Sequence, residues 1–458
     1  MDNYKNKIIG VLGLGVSGQS AIKYFSYNSK KIIAWDDAIE IRKTFKKKKV
    51  NIKNLSVSKN LQLIDLLFVS PGIKPKHSVL LLAKKLKINI TSDLDVFWEE
   101  ALNRKNKFIV VTGSNGKSTV TSMIHHLLRL TNKKVFIGGN IGIPILSLKI
   151  PNNSSYYVIE ASSYQLELMN KLKPDISILT NIIPDHIEWH GSMKKYISAK
   201  EKIFLNQNNN DLAIINVDNL EGLHIYKKIN KRKIKPIIIK ISLRKKLNNT
   251  IYLYKENIID NLNNKNIIIG KVEDLTSLKG LHNIENILFT IAVSMHIGLT
   301  HNEIRYNLPK FKSLPNRLET VYEDKKIEII NDSKATNLES CKVALSCFDE
   351  IIWIAGGRRK KEEFTYLNNH INNIKAGFFI GESADQFVNY FKDYFYCKNS
   401  INIKDAISDS LKFSQTLKNY NTVLFSPGCS SFDQFKNFED RGKIFKKMIN
   451  NRMFRGSL

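Results

Sequence analysis

Apolar and polar positions along this chain alternate between two periods. Short apolar runs at 7–12, 31–35 and 66–70 read as strands, and the stretch at 18–28 carries helical spacing between them. Strand followed by helix, repeated, predicts a parallel α/β sheet. A second series of runs at 108–111, 134–137, 156–160, 176–180 and 212–216 repeats the scheme. After the first of these, Met123, Ile124, Leu127 and Leu128 recur as one face of a helix should. Residues 220–280 alternate only weakly among many Lys and Asn, which predicts a β-rich elaboration. From about 301 a third series begins, with strands expected at 327–331, 351–355, 376–380 and 422–426. The pattern divides the chain into domains at 1–94, 95–300 and 301–458, and 458 residues matches about three domains on length alone.

Composition narrows the class. Hydrophobic content is 43%, and no apolar run reaches the length of a membrane span, so a soluble globular protein is expected. Lys5 and Lys7 before an apolar stretch imitate a secretion signal, but Gly13, Gly15 and Gly18 break that stretch and a helical segment follows. Cys341, Cys347, Cys397 and Cys429 contain no C-x-x-C pair and read as thiols of a reducing cytoplasm. The net charge of +29 raises the question of nucleic acid. The lysines are scattered, cluster only at 42–48 and 226–246, and show no interleaved aromatic stripe, so they read as solvated surface with no nucleic-acid partner.

Chemistry concentrates at strand ends. Residues 112–119, T-G-S-N-G-K-S-T, lie between an apolar strand and a helix, the context in which a glycine loop cradles phosphates. Gly113 and Gly116 let backbone N–H groups approach oxygens, Lys117 adds charge at a helix N-terminus, and Ser118 or Thr119 offers a hydroxyl to Mg²⁺. The spacing is shorter than G-x-x-x-x-G-K-[ST], since Val111 stands where that pattern has glycine. Gly13-Leu14-Gly15-Val16-Ser17-Gly18 follows the first strand, with Asp36 ending the next. This fingerprint selects a diphosphate and an acid near a ribose or base, which NAD and a UDP-sugar satisfy equally.

Glu160, at the edge of the 156–160 strand, reads as a Mg²⁺ ligand or as an acid at a helix start. In 181–191, N-I-I-P-D-H-I-E-W-H-G, Glu188 is misplaced for the H-E-x-x-H pattern of zinc proteases, which leaves His186 as a single ligand or phosphate contact. Ser192 is positioned to cap a helix through Tyr196, Lys200 and Phe204, with Tyr196 and Lys200 on one face; by itself Lys200 reads as one more solvated lysine. Arg317 sits in a stiff turn after Pro315. Asp332, Ser333, Lys334 and Thr336 crowd one strand-end loop. Residues 426–431, S-P-G-C-S-S, are expected to open a helix bearing Phe432, Phe435 and Phe438, largely as core.

Taken together, T-G-S-N-G-K-S-T, E-A-S-S-Y-Q-L-E, N-I-I-P-D-H, H-N-I-E-N (282–286), N-D-S-K-A-T-N and S-P-G-C-S-S-F-D-Q-F-K-N-F-E-D-R-G resemble the Mur ligases of peptidoglycan synthesis, in the branch that adds D-glutamate. The resemblance spans essentially the whole chain. It implies an α/β fold with an N-terminal Rossmann-like parallel sheet, a central P-loop-type ATPase α/β domain and a C-terminal Rossmann-like α/β domain. It further implies ATP and two Mg²⁺ ions as cofactors, UDP-N-acetylmuramoyl-L-alanine and D-glutamate as substrates, and an acyl-phosphate intermediate. The expected enzyme is cytoplasmic and monomeric, without stable membrane insertion.

The resemblance also implies roles. Gly113, Ser114, Asn115, Gly116, Lys117, Ser118, Thr119, Asn286, Arg317 and Asp332 would meet ATP. Ser118 and Glu160 would hold one metal ion, and His186 with a carbamylated Lys200 the second; Lys117, Glu160, His186 and Lys200 would form the catalytic set. Val16, Ser17, Asp36, Ser70, Asn140 and His186 would contact the UDP-sugar, and Lys334, Thr336, Lys360, Ser431, Phe432 and Phe438 the D-glutamate. Three departures from the family pattern stand out: Asn316 where His is usual, Arg359 in a loop otherwise rich in glycine, and Asp37-Ala38 beside the expected uracil.

Overall fold

Three sheets carry the strands that the alternation predicts. The structure, a computed structural model, describes residues 3–46, 50–102, 105–276, 278–360 and 362–453. The described chain forms two compact units, one of residues 3–276 with 282–311, the other of 278–281 with 312–453.

The first unit contains two sheets. β1 (Ile8–Leu12), β2 (Lys31–Trp35), β3 (Asn51–Ile52), β4 (Leu66–Val69) and β5 (Asn89–Thr91) pair in parallel in the order β3-β2-β1-β4-β5. The order reverses between β1 and β4, and in such sheets the crevice at that point takes ligands. Helix α1 (Val16–Asn28) follows β1, and α2 (Asp93–Leu102) leads out of β5 toward the second sheet. That sheet has nine strands: β6 (Lys107–Thr112), β7 (Val135–Gly139), β8 (Tyr156–Glu160), β9 (Ile176–Leu179), β10 (Leu212–Asn216), β11 (Ile237–Ser242), β12 (Thr250–Tyr254), β13 (Asn257–Asp260) and β14 (Ile267–Lys271). Their order is β14-β13-β12-β11-β10-β9-β6-β8-β7, parallel up to β12 and antiparallel through the last hairpins. β9 and β10 are buried along their whole length, which explains their continuous apolar runs. Helices α3 (Lys117–Leu130), α4 (Ser163–Leu168), α5 (Ile187–His190), α6 (Met193–Glu201), α7 (Leu220–Asn230) and α8 (Leu281–His296) follow in chain order.

The second unit holds a six-stranded sheet of β15 (Glu319–Glu323), β16 (Ile327–Asn331), β17 (Ile351–Gly356), β18 (Ile374–Ile380), β19 (Tyr396–Ile401) and β20 (Asn421–Phe425), ordered β15-β16-β20-β17-β18-β19. Only β15 is antiparallel. Trp353, Phe379, Phe387 and Phe391 pack edge-on or tilted at the centre of one core layer. Helix α9 (Phe438–Met453) closes the unit.

Three local expectations are corrected. Residues 220–230 fold as α7 rather than as β elaboration: Asn219 caps it by accepting from Gly222 N–H at 3.1 Å, and Ile225 and Ile229, one turn apart, are buried. Only residues beyond it, β11 to β14, are extended. Residues 432–437 form turns instead of opening a helix, because Asn437 Oδ1 accepts from Asp440 N–H at 2.7 Å and starts α9 at Phe438. Phe432, expected in the core, is 66% exposed, while Phe435 packs partly buried. The helix capped by Ser192 ends as α-helix at Glu201 and finishes with a 3-10 turn to Phe204. Among the described residues no helix is long and apolar enough to cross a membrane.

Candidate active site

β6 lies inside the nine-stranded sheet and delivers the 112–119 loop to the N-terminus of α3. Gly113 and Gly116 have φ of +151° and +80°. A Cβ at Gly113 would run into Thr180 Oγ1, and one at Gly116 into Asn286 Oδ1, so both glycines answer to close packing as well as to backbone shape. The end of β9 pins the loop. Ser114 N–H donates to Asn181 O at 2.8 Å, Asn115 N–H to Asn181 Oδ1 at 2.9 Å, and Thr180 Oγ1 to Asn115 O at 2.6 Å. Ser114 Oγ accepts from Ile183 N–H at 2.9 Å and meets the Tyr196 hydroxyl at 2.7 Å. Asn219 clamps Ile182, accepting from its N–H at 3.2 Å and donating to its carbonyl at 3.1 Å. Lys117 Nζ curls back to donate to Ser114 O at 2.7 Å, and Ser118 is buried.

Glu160 ends β8 in register with Val111 and is buried. Its Oε1 accepts from Asn140 Nδ2 at 2.8 Å, so the structure brings together two residues that the sequence assigned to different ligands. Its Oε2 is buried with no hydrogen-bond partner. An orphaned carboxylate oxygen costs on the order of 1–3 kcal/mol or more, and a hard divalent cation is the chemistry that relieves it. Among the described residues no three His, Cys, Asp or Glu side chains cluster as a metal cage.

Lys200, on α6, is not the solvated lysine that its sequence context suggests: it is 2% exposed, and its Nζ donates to Gly113 O at 2.6 Å and lies 4.7 Å from the Tyr196 ring one turn away. Burial, and after it the charge of Lys117, holds this amine well below the usual lysine range, against weaker opposition from Asp185 and Glu160. His186 takes the left-handed conformation (φ +54°) just before α5, its Nε2 3.3 Å from Asp185 Oδ2 and its ring 4.9 Å from that of Tyr164. His190, quoted in the 181–191 motif but given no role there, is buried with Nε2 2.9 Å from Ser163 Oγ. Burial, then the charges of Lys200 and His186, push it down to about 4, so the ring is neutral.

At the end of β1, Gly13 (φ +86°) turns the chain, Ser70 Oγ donates to Gly13 O at 2.8 Å, and Leu14 N–H donates to Asp36 Oδ2 at 2.7 Å. Asp36 Oδ1 accepts from Ala38 N–H at 2.9 Å, so each oxygen of this acid already braces its own loop. Val16 is exposed and Ser17 half-buried on the first turn of α1. Asp37 is tied to His77 Nε2 at 2.9 Å and to Trp35 Nε1 at 3.1 Å; the His77 bond chiefly lowers its carboxyl.

In the second unit the predicted residues gather at the C-terminal ends of three adjacent strands, β16, β20 and β17. Ser430 N–H and O pair with Arg358 O and N–H at 3.0 and 2.9 Å, joining the loop that carries Ser431 to the one that carries Lys360. Lys334 Nζ lies 5.2 Å from the Phe438 ring, and Thr336 is half-buried on the same loop. Ser426 Oγ donates to Asp332 Oδ2 at 2.9 Å; burial raises Asp332 to about 7, opposed by that bond, by Leu318 N–H and by the charges of Arg317 and Arg441. Sequence reading missed Arg441, which is 1% exposed and donates to Ser333 Oγ, Ser333 O and Cys429 O at 3.0, 2.8 and 3.1 Å.

The departures acquire explanations. Asn316 has φ +63°, which Asn tolerates, and its Oδ1 accepts from Asn331 Nδ2 at 3.0 Å where a Cβ on Gly442 would intrude. Arg359 lays its guanidinium 3.9 Å from the Phe364 ring and donates to Gln386 Oε1 at 3.1 Å, so it packs while Lys360 stays exposed in an open concavity of about 550 Å³. Of the residues assigned to ATP, 113–119 and Asn286 belong to the first unit, Arg317 and Asp332 to the second.

Comparison with known proteins follows these sites along the chain. The profile of the Mur ligase middle domain matches residues 111–294, and that of the Mur ligase MurD-like, N-terminal domain matches residues 7–92. The UDP-N-acetylmuramoylalanine–D-glutamate ligase of Rickettsia prowazekii (strain Madrid E) is 37% identical over 459 residues, covering 98% of this chain and 99% of that protein. The ligase of the same name from Wolbachia pipientis wMel is 35% identical, with 98% of each chain covered. Among solved structures, UDP-N-acetylmuramate-alanine ligase from Thermotoga maritima superimposes with a TM-score of 0.58 at 17% identity, over 97% of this chain and 100% of that one. The MurF ligase of Thermotoga maritima in complex with ADP gives 0.58 at 16%, over 98% and 96%. The structural likenesses show a shared fold, and the sequence likenesses run from end to end: this chain belongs to the Mur ligase family, in its MurD-like branch.

Proposed function

We propose that this chain is an ATP-dependent ligase of peptidoglycan synthesis that joins D-glutamate to UDP-N-acetylmuramoyl-L-alanine. The observation that carries the chemistry is the convergence at one strand-end loop of the glycine cradle, Lys117, the buried amine of Lys200 and the orphaned Oε2 of Glu160. The D-glutamate ligases named above, similar over nearly the whole chain, support the choice of substrates.

In this reading the loop N–H groups and Lys117 hold the β- and γ-phosphates. The alanyl carboxylate attacks the γ-phosphorus, ADP leaves, and an acyl phosphate results. The amine of D-glutamate then attacks the acyl carbon, phosphate leaves, and a proton is lost from nitrogen. Two anions meet in the first step, so fixed positive charge at the transferred group lowers the barrier. Ser118 and Glu160 would hold one Mg²⁺, and His186 with a carbamylated Lys200 a second; bound Mg²⁺ supplies charge neutralisation at the phosphoryl oxygens. The downward shift of Lys200 supports the carbamate, because CO₂ adds only to a neutral amine, with release of one proton. Asn286 and, in the second unit, Arg317 and Asp332 are assigned to ATP; Val16, Ser17, Asp36, Ser70 and Asn140 to the UDP-sugar; Lys334, Thr336, Lys360, Ser431, Phe432 and Phe438 to D-glutamate. The domain limits 1–94, 95–300 and 301–458 belong to the same proposal.

The deciding experiment measures phosphate release with UDP-N-acetylmuramoyl-L-alanine, ATP and Mg²⁺ across a panel of amino acids. Turnover with D-glutamate well above L-glutamate and the others is expected; release indifferent to the amino acid refutes the assignment.

A further inference from the structure

Glu160 is followed by Ser162, Ser163, Tyr164 and Gln165, side chains to which neither nucleotide nor metal assigns a task. The structure gives them one. Gln165 is buried, and its Oε1 accepts from Ser162 N–H and Ser162 Oγ, each at 3.1 Å, while its own N–H donates to Ser162 Oγ at 3.3 Å. That is a complete capping box at the start of α4, two residues beyond Glu160. The remaining amide group, Gln165 Nε2, donates to Asp93 Oδ2 at 3.1 Å, and Asp93, also buried, is the first residue of α2. Two residues on, Asp95 accepts from the N–H groups of Asn170, Lys171 and Leu172, each at 2.9 Å, just past the end of α4. The helix between the two sheets of the first unit thus grips α4 at both ends. The first turn of α4 in turn meets the histidines: Ser163 Oγ lies 2.9 Å from His190 Nε2, and the Tyr164 ring 4.9 Å from that of His186.

We propose that Asp93 and Gln165 are positioning residues, which through α4 set Glu160 and the His186 ring for metal binding. The role rests on the ligase reading above. It differs from a merely structural one in what it predicts for the metal. Groups that orient ligands from outside typically change metal affinity or activity by about 10–100-fold when removed.

The pair allows a test by reversal of the hydrogen bond. Gln165→Glu sets a carboxylate against the Asp93 carboxylate; Asp93→Asn together with Gln165→Glu restores every bond, since the asparagine amide donates to the glutamate, whose oxygens still accept from Ser162. Two quantities are read for each variant: the Mg²⁺ concentration that half-saturates turnover, and the rise in Tm that Mg²⁺ produces in the presence of ADP. Gln165→Glu should need about tenfold more Mg²⁺ and lose most of the Tm rise, and the double variant should return to within about threefold of wild type. If Gln165→Glu does not fold, Gln165→Met removes the bond without adding charge and carries the same expectation. A single variant with wild-type Mg²⁺ dependence, or a folded double variant that does not recover, overturns the positioning role and leaves the ligase reading intact. A wild-type chain showing neither turnover nor a Tm response to ADP and Mg²⁺ overturns the ligase reading and this role with it.

Discussion

The loop at the end of β6 and the loops at the ends of β16, β20 and β17 are both strand-end sites, but they are constructed in opposite ways. Around the first, three groups assigned to chemistry, Ser118, Glu160 and Lys200, are buried, Lys117 is half-buried, His186 alone of the catalytic set is exposed, and the loop is pinned by 180–183. In the second unit Arg441 and Ser333 are buried bracing and Asp332 and Ser431 are buried beside them, while Lys334 and Thr336 are half-buried and Lys360 and Phe432 stand in the open. Burial makes charge effective and costs reorganisation nothing at the moment of reaction, which matters where phosphoryl groups must be neutralised. Exposed side chains on a braced frame suit a small polar substrate that arrives from water. Substitutions should therefore change rate at the first site and substrate affinity at the second.

The largest effect is expected at Lys117. Its replacement by Ala should lower kcat by about a thousandfold or more, with little change in the Tm of the free protein. Turnover within tenfold of wild type would erase the contrast. Lys200→Ala follows, with a loss of about a hundredfold; ¹³C-labelled bicarbonate should give a carbamate resonance in wild type that this variant lacks. In the second unit Lys334→Ala should act on the amino acid, raising its KM by about 10–100-fold, the worth of one charge-assisted bond, while kcat at saturation falls far less. Asp332 sharpens the comparison through pH. Its carboxyl binds a proton more tightly folded than unfolded, so its own contribution to stability is fully present at low pH and is lost as pH rises from about 4 to about 7. Asp332→Asn should remove that contribution, at most a few kcal/mol, seen as a Tm profile flatter than that of wild type across this range. Phe432→Ala should do least: being exposed, it should leave Tm unchanged and move the amino-acid KM by about threefold or less.

Sequence reading captured what is local. The strand, glycine loop and helix at 107–130 declare themselves within a few residues, as do Gly13 with α1 and the pairing of Tyr196 with Lys200 one helical turn apart. It failed where composition masked period, as in 220–230, whose Lys and Asn hide the Ile225 and Ile229 face and the Asn219 cap. It failed again at 432–437, where three phenylalanines suggested a core helix although Asn437 followed by Glu439 and Asp440 is an ordinary helix start. Residues that act across long separations left no signal at all. Gln165 and Asp93 are 72 positions apart, Arg441 and Ser333 are 108 apart, and neither pair has a spacing to read. His190 and Asn219 had detectable neighbours, in the motif around His186 and at the end of β10, but only coordinates show what they hold.

The helix between the two sheets of the first unit has a practical consequence for dissecting the chain. A fragment that begins at residue 95 starts inside α2 and discards Asp93, leaving the Gln165 amide without its acceptor and the α4 capping box unsupported. Beginning instead at Ser92, whose hydroxyl accepts from Asp95 N–H at 3.3 Å, retains both carboxylates and the first turn that presents them. The cut that respects the middle sheet falls before the helix, on the side that its numbering would assign to the neighbouring domain.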